Sequence, residues 1–191
     1  MKYKAILVFG PPGIGKGTQA KLLAKDKKYF HFSTGDMFRN MDKTNSIGKQ
    51  VHDLISKGNF VPDEMTVELF LKTLERYQKE GKLAENKILI LDGIPRTEKQ
   101  VGLLEGRIKV LKIIYFTSSS DETLAERLQK RALIEGRSDD ADLGIIKNRL
   151  EIYRKDTAAV LSHYPKDLIL EIDGMPSIEQ VYSDMMAKLK F

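Results

Sequence analysis

The sequence of 191 residues contains no cysteine and no tryptophan. Without cysteine we expect neither a disulfide framework nor a thiolate zinc site, which is typical of a reducing, cytoplasmic compartment. Long hydrophobic runs are also missing. The first apolar run, Ala5 to Phe9, is too short for a signal peptide, and no stretch approaches the length that crosses a bilayer. With 41% hydrophobic and 31% charged residues, the composition predicts a folded globular chain.

The chain carries a net charge of +5, and such an excess is often found in proteins that bind nucleic acids or membranes. Here, however, the lysines are scattered among acidic residues, and no basic run is interleaved with aromatics. We therefore expect neither partner. Six of the nine arginines lie within the motifs described below. This distribution favours small polyanionic ligands.

Five short apolar runs alternate with helical patterns and predict buried strands. They are Ala5–Phe9, Tyr29–Ser33, Ile88–Leu91, Val110–Phe116 and Leu168–Ile172. Helices are expected over about 15–25, 34–41 and 46–56, after Pro62, and as one long helix over about 140–163. Continuous apolar strands are typical of a parallel sheet covered on both faces. The pattern predicts an α/β, doubly wound parallel sheet of about five strands, which binds ligands at the carboxyl ends of its strands.

The segment from Gly10 to Thr18, GPPGIGKGT, is a Walker A pattern between the first strand and a helix. Its glycines allow backbone N–H groups to converge on an anion, and the helix N-terminus adds partial positive charge. Lys16 is expected to reach the β- and γ-phosphates. The strict pattern has a hydroxyl directly after the lysine, whereas here Gly17 intervenes and Thr18 supplies it. The alternative, a purely structural turn, is disfavoured by the residue order, so the motif predicts a P-loop NTPase-type fold.

The Gly-Lys-Gly-Thr variant, followed by Gln19-Ala20, resembles the nucleoside monophosphate kinases, and four later segments match that family in order. The segments are STGDMFR at 33–39, GNFVPDE at 58–64, LDGIPRTEKQ at 91–100 and an arginine-rich stretch at 127–149. Together they resemble the adenylate kinases of the short-lid form, since only residues 132–136 separate Arg131 from Arg137. The resemblance implies a monomer that transfers a phosphoryl group reversibly between Mg-ATP and AMP.

The resemblance also implies site residues. ATP would be bound by Gly13, Ile14, Gly15, Lys16, Gly17, Thr18, Arg127, Arg131 and Pro176. AMP would be bound by Thr34, Arg39, Asn59, Phe60, Val61, Gly93, Ile94, Pro95, Arg96, Gln100, Arg137 and Arg149. The catalytic set would be Lys16, Arg96, Arg127, Arg137 and Arg149, with Asp92 orienting water on Mg²⁺. One departure is Ile94, where the family usually has phenylalanine, so an aromatic packing surface beside AMP is lost.

By the same resemblance the chain is one kinase domain with two small insertions. The core would comprise 1–32, 62–130 and 142–191, the AMP-binding subdomain 33–61, and the lid 131–141. The local pattern alone predicts Thr34 as a helix N-cap. Because the implied phosphoryl transfer needs no Ser-His-Asp set, we expect His31, His52 and His163 to be structural or surface residues.

Four alternatives to this interpretation differ from it in the residues that they require. A UMP/CMP kinase shares the fold, but such relatives tend to carry alanine and asparagine where this chain has Thr34 and Gln100. GTP in place of ATP stays open, because the family contacts the donor base mostly through backbone. A GTPase-type switch would need Asn-Lys-x-Asp, yet Asn86-Lys87-Ile88-Leu89 lacks the final acid. A nucleic-acid-binding protein is indicated by charge alone.

Overall fold

Five strands form the centre of the molecule, in a computed structural model that describes residues 3–189. They are β1 (Tyr3–Phe9), β2 (Tyr29–Ser33), β3 (Ile88–Asp92), β4 (Ile108–Thr117) and β5 (Ile169–Asp173). All neighbouring strands pair in parallel, in the order β2-β3-β1-β4-β5. The prediction of an α/β fold with a five-stranded parallel sheet is confirmed.

Eight α-helices connect and cover these strands within the described residues. They are α1 (Lys16–Leu23), α2 (Thr34–Arg39), α3 (Ser46–Ser56), α4 (Asp63–Lys79), α5 (Glu98–Leu104), α6 (Asp121–Glu135), α7 (Leu143–Ile152) and α8 (Ile178–Lys188). The sequence patterns predict α1 to α4, and α7 falls within the long helix expected over about 140–163, whereas α5, α6 and α8 lie outside the predicted helices. In the described part of the chain, no helix is long and apolar enough to cross a membrane.

The sheet buries a hydrophobic core on each face, which explains why its strands are continuously apolar. Successive side chains of a strand point to opposite faces. In β1, Ile6 and Val8 pack into one core with residues of α1, α6 and α8, while Leu7 and Phe9 pack into another with residues of α4 and α5. Burying each such side chain contributes about 1.5–3 kcal/mol. The two cores hold the carboxyl ends of the strands in fixed relative positions.

A third, smaller core lies in the segment that carries α2 and α3. It contains Phe38, Val51 and Val61, with Leu54 and Ile55 partly buried against it. Met65 and Leu69 of α4 are also partly buried against it, so the predicted subdomain 33–61 packs both on itself and on α4, and its boundaries stay a prediction.

The single long helix predicted over 140–163 is wrong. The α-helix starts only at Leu143, because the Asp142 carboxylate caps it by accepting from Gly144 N at 2.7 Å. After Ile152 the backbone widens into a π turn, in which Ala158 N donates to the Tyr153 carbonyl five residues earlier at 2.9 Å. A 3₁₀ segment, Ala159–His163, follows. Apolar residues recur at similar spacing in all of these segments, so periodicity alone did not separate them.

Candidate active site

A cleft of about 230 Å³ opens at the carboxyl ends of β1, β2 and β3, where a parallel sheet is expected to bind its ligand. It brings together the glycine-rich segment, the start of α2, the loop after β3 and the arginines that flank the predicted lid. Among the described residues that line it, cationic side chains outnumber carboxylates by seven to four. The excess positive charge of the cleft attracts polyanions.

The glycine-rich loop between β1 and α1 has the geometry of a phosphate cradle. Lys16, the first residue of α1, donates from Nζ to the carbonyls of Gly10 at 2.7 Å and Pro11 at 2.9 Å. Gly13 has a φ of 86°, and a Cβ there would lie 2.7 Å from the Leu124 carbonyl oxygen, so this position accepts only glycine. Burial lowers the pKa of Lys16 to about 7, against the opposing attraction of Asp92.

Arg96, in the loop after β3, is held from two sides. Its Nε donates to the Gly93 carbonyl at 3.0 Å, and its guanidinium lies 5.3 Å from the centre of the Phe60 ring. Burial lowers the pKa of Arg96 to about 10, so the side chain still carries its charge at neutral pH. Within residues 3–189, neither Arg96 nor Lys16 has a carboxylate within 4.0 Å. Two partly buried cations without an ion-pair partner in that range make this part of the cleft an anion site.

Asp92 ends β3 and lies beside the phosphate cradle. A Cβ on Gly17 would be 3.3 Å from its Oδ2. Burial by itself would raise the pKa of Asp92, but the neighbouring His31 imidazole and the Lys16 ammonium outweigh burial and hold the pKa below its ordinary value. His31 Nε2 lies 3.9 Å from Asp92 Oδ2, with only 12% of the histidine side chain exposed. Asp92 is therefore an ionised carboxylate next to the cradle.

The arginines in and beside the predicted lid are paired with two aspartates. Asp140 is fully buried and accepts from Arg131 at 2.7 Å, while Asp139 accepts from Arg137 at 2.6 Å and from Arg149 at 2.9 Å. Arg149 also contacts Asp140. Together these pairs connect the end of α6, the 3₁₀ turn Ser138–Asp140 and α7. Arg131, Arg137 and Arg149 all line the cleft.

The segment at the start of α2 also lines the cleft, with one correction to its capping. The N-cap is Ser33, whose hydroxyl accepts from Asp36 N at 3.1 Å, and not Thr34. Thr34 is buried, and its hydroxyl instead donates to the Gly93 carbonyl at 2.9 Å. This contact between neighbouring strand ends is long-range, so local sequence does not reveal it. Arg39 Nη2 lies 2.6 Å from Asp36 Oδ1.

Most of the predicted acceptor-binding residues face this same cleft. Its lining includes Thr34, Arg39, Asn59, Phe60, Val61, Gly93, Pro95, Arg96 and Gln100. The exception is Ile94, which is 1% exposed and packs into the core on the α4 side of the sheet. Its side chain is thus a core residue in this structure.

Arg127 and Pro176 lie together outside the lining of the cleft. The Arg127 guanidinium donates to the carbonyls of Gly174 at 2.9 Å and Met175 at 2.8 Å, in the loop after β5. That loop packs on the cradle, since a Cβ on Gly174 would lie 2.4 Å from Ile14 Cγ1. The arrangement connects Arg127, this loop and the phosphate cradle.

Some residues of the site were not singled out from the sequence. His31 lies in the wall of the cleft, and Tyr153 borders it from the π turn with its hydroxyl buried. Asp63 accepts a hydrogen bond from Gln100 Nε2 at 2.8 Å. The sequence contains an indication of the position of His31. This residue precedes Ser33 by two positions in β2, so the two side chains lie on the same face of the strand. Asp63 lies within the matched segment 58–64, but its contact with Gln100 is long-range, as are the surroundings of Tyr153, so the sequence did not indicate either role.

The fold and the cleft define a P-loop phosphotransferase. A family model described as "Adenylate kinase" matches residues 8–169. An adenylate kinase of Prochlorococcus marinus is 40% identical over 184 residues, which cover 93% of this chain and 94% of that protein. One of Clavibacter michiganensis subsp. michiganensis is 38% identical over 191 residues, covering 96% and 92%. This chain belongs to the adenylate kinase family.

Proposed function

We propose that this protein catalyses the reversible, Mg²⁺-dependent reaction ATP + AMP = 2 ADP. One observation carries the proposal. The same cleft contains both the phosphate cradle and the predicted acceptor segment. Lys16 and Arg96 line it, and among the described residues neither of these two cations has a carboxylate partner. Such a cleft brings the phosphates of two nucleotides close together, which is what a direct transfer between them requires. The names of the relatives agree with this reaction.

The donor ATP would lie along the cradle. Its phosphates would accept from the backbone of residues 13–18, including Gly13, Ile14, Gly15, Gly17 and Thr18, and from Lys16 Nζ, which would exchange the carbonyls of Gly10 and Pro11 for phosphate oxygens. Its base would lie at the loop 174–176, with Arg127 fastening that loop and Pro176 at its end. Arg131 would bind donor phosphate from the end of α6.

The acceptor AMP would lie across the cleft. Its phosphate would be bound by Arg39 and Arg96, and its base would contact Thr34 and Gln100. Residues Asn59, Phe60, Val61, Gly93 and Pro95 would form the surrounding wall, and Ile94 would support it from the core.

Catalysis would consist of alignment and neutralisation of charge. The transferring phosphoryl group passes through a loose transition state whose negative charge is spread over its oxygens. Arg137 and Arg149 are now bound to Asp139, and in the complex they would move part of their hydrogen bonding to the transferring group. Lys16 and Arg96 would hold the two phosphate chains in line. No nucleophile or general base of the protein is required.

The residues present fit an Mg²⁺ ion that enters with the nucleotide. Residues 3–189 contain no cluster of three or more histidine or acidic side chains that would hold a metal unaided. One ionised carboxylate, Asp92, lies beside Gly17 at the cradle and would accept from a water of the ion. When bound to the triphosphate, the ion would withdraw charge from the phosphate oxygens.

The proposal includes the arrangement of the chain around the cleft. The core would comprise 1–32, 62–130 and 142–191, with 33–61 receiving AMP and 131–141 covering ATP. The small core around Phe38 and Val51, which the first insertion shares with α4, supports this insertion. We also propose a cytoplasmic monomer without nucleic-acid or membrane partners, because its substrates are free nucleotides. Light scattering after size exclusion tests the monomer.

The decisive assay is formation of ADP from Mg-ATP, with AMP, CMP, UMP and GMP offered separately as acceptors. Strong turnover with AMP alone is the expected result. Turnover mainly with CMP or UMP would keep the cradle and the arginines but replace AMP as the acceptor. Absence of turnover with all four would overturn the proposed reaction.

A further inference from the structure

Gln100 is held in a closed ring of hydrogen bonds at the wall of the cleft. Its Nε2 donates to Asp63 Oδ1 at 2.8 Å, and its Oε1 accepts from Arg96 N at 2.8 Å. Thr97 completes the ring, because its hydroxyl donates to the same Asp63 oxygen at 3.0 Å and accepts from Gln100 N at 3.1 Å. Gln100 is 2% exposed, so these bonds are shielded from water.

The chemistry of the two partners permits one orientation of the amide. An ionised carboxylate only accepts hydrogen bonds, and a backbone N–H only donates. The Gln100 NH₂ must therefore face Asp63, and its oxygen must face Arg96 N. Rotation of the amide by 180° would place oxygen against oxygen at Asp63 and two donors together at Arg96. Each would cost a buried, unsatisfied group.

The groups left over define what the amide presents to the cleft. One N–H and one oxygen lone pair of Gln100 remain after the ring is closed. Thr34 contributes only lone pairs, because its single hydroxyl proton is donated to the Gly93 carbonyl. This set matches a base edge with an amino group beside an unprotonated ring nitrogen, as in a 6-aminopurine. It is opposite to a 6-oxopurine, which presents a carbonyl beside a protonated ring nitrogen.

We propose that Asp63 is a positioning residue that sets the specificity for the acceptor base, by fixing the direction of the Gln100 amide. Asp63 does not touch the substrate in this scheme. The inference rests on the proposed function, in which Gln100 faces the acceptor base. Beyond that function, we propose that discrimination against 6-oxopurine nucleotides depends on the Asp63 carboxylate, which orients Gln100 from the side away from the substrate.

The test compares AMP with IMP, which differ at position 6 of the base and in the protonation of the adjacent nitrogen. The variant Asp63→Asn keeps the shape of the side chain, but its amide presents either an oxygen or an NH₂ to Gln100. The Gln100 amide then loses one of its two restraints, and only the Arg96 N–H still favours the original orientation. We expect the ratio of kcat/KM for AMP to kcat/KM for IMP to fall by about tenfold, with kcat/KM for IMP rising in absolute terms.

The control is Glu64→Ala. Glu64 is the next residue in the first turn of α4, is exposed and pairs with Lys99, so its loss removes the same charge from the helix end without touching Gln100. Its AMP-to-IMP ratio is expected to match that of the wild type. A purely structural role of Asp63 would lower the melting temperature and the rate with both acceptors without raising the rate with IMP.

The outcomes separate this inference from the function on which it rests. Wild-type turnover of AMP with an unchanged ratio in Asp63→Asn would overturn the inference alone. A wild type that does not use AMP would overturn the proposed function and the inference with it. A fall in the ratio through faster use of IMP, in Asp63→Asn and not in Glu64→Ala, would support both.

Discussion

Lys16 combines a partly buried position with a charge that no carboxylate among the described residues pairs with. Its ammonium is satisfied by two carbonyls, which a phosphate would replace with a stronger, charge-assisted partner. We predict that Lys16→Met lowers kcat/KM by at least about 100-fold, since removing one preorganised donor to a transition state costs about that much. The coupled ADP assay measures the loss.

The same variant should leave the fold intact, because methionine fills the space and removes a desolvated charge. The melting temperature should not fall below that of the wild type. The exposed Lys25→Met is the matched control, with activity expected to be unchanged. Near-normal turnover in Lys16→Met would contradict the assigned role.

The lowered pKa of Lys16, at about 7, predicts a proton linkage. At pH 8 the free protein holds Lys16 mostly neutral, and bound triphosphate favours the charged ammonium. Binding of Mg-ATP at pH 8 should therefore take up about one proton, and binding at pH 6 almost none, because the lysine is already protonated there. Calorimetry in buffers with different enthalpies of ionisation measures this uptake. Uptake that persists at pH 8 in Lys16→Met would assign the proton to another group.

At the scale of single elements, Asp140 connects α6, the 3₁₀ turn before α7, and α7 itself. It is fully buried and contacts Arg131, Arg137 and Arg149. Asp140→Ala should lower the free energy of unfolding by about 3 kcal/mol, because three cations lose a buried partner and only Asp139 remains. Urea denaturation measures the change. Asp53→Ala, at an exposed pair with Lys57, should show no comparable loss.

Two glycines at α5 offer a matched pair with opposite expectations. A Cβ would have open space at both Gly102, inside α5, and Gly106, in the turn after it. Gly106 has a φ of 76°, whereas Gly102 is helical. Gly102→Ala should stabilise the protein by about 0.5–1 kcal/mol, and Gly106→Ala should destabilise it by about 1 kcal/mol. Thermal unfolding compares them. Equal effects would mean that backbone conformation is not what distinguishes the sites.

At the scale of the whole molecule, we predict closure of the two insertions when both nucleotides bind. Water in the cleft would hydrolyse ATP, so it must be excluded. The arginines at 131–149 are held by aspartates, from which nucleotide phosphates would draw part of their hydrogen bonding, and residues 33–61 pack around a small core that they share with α4.

The absence of cysteine makes closure measurable with introduced labels. A fluorophore pair at Lys49→Cys and Ile134→Cys, both exposed positions, should show a shorter distance when a bisubstrate ligand of two adenosines bridged by phosphates binds. A pair at Lys25→Cys and Lys79→Cys, two exposed positions outside the proposed insertions, should not change. An unchanged distance at the first pair would contradict closure.

The sequence by itself determined the strands, their parallel packing and the phosphate cradle, because these depend on local composition. Apolar runs specify strands that are buried on both faces of the sheet, and Gly13 adopts a positive φ, which glycine accommodates without strain. Motifs such as LDGIPRTEKQ also indicated the family, and the similarity to known adenylate kinases confirms it.

Only the tertiary structure decided which side chains are paired and in which direction they face. The choice of Ser33 over Thr34 as the cap, the neutralised lid arginines and the orientation of Gln100 by Asp63 all depend on residues distant in the chain. The π turn after α7 is likewise invisible to helical periodicity. The physical reason is common to these cases. A hydrogen bond forms only when donor and acceptor lie at the right distance to within a few tenths of an ångström. Between distant parts of the chain, the packing of the elements sets that distance.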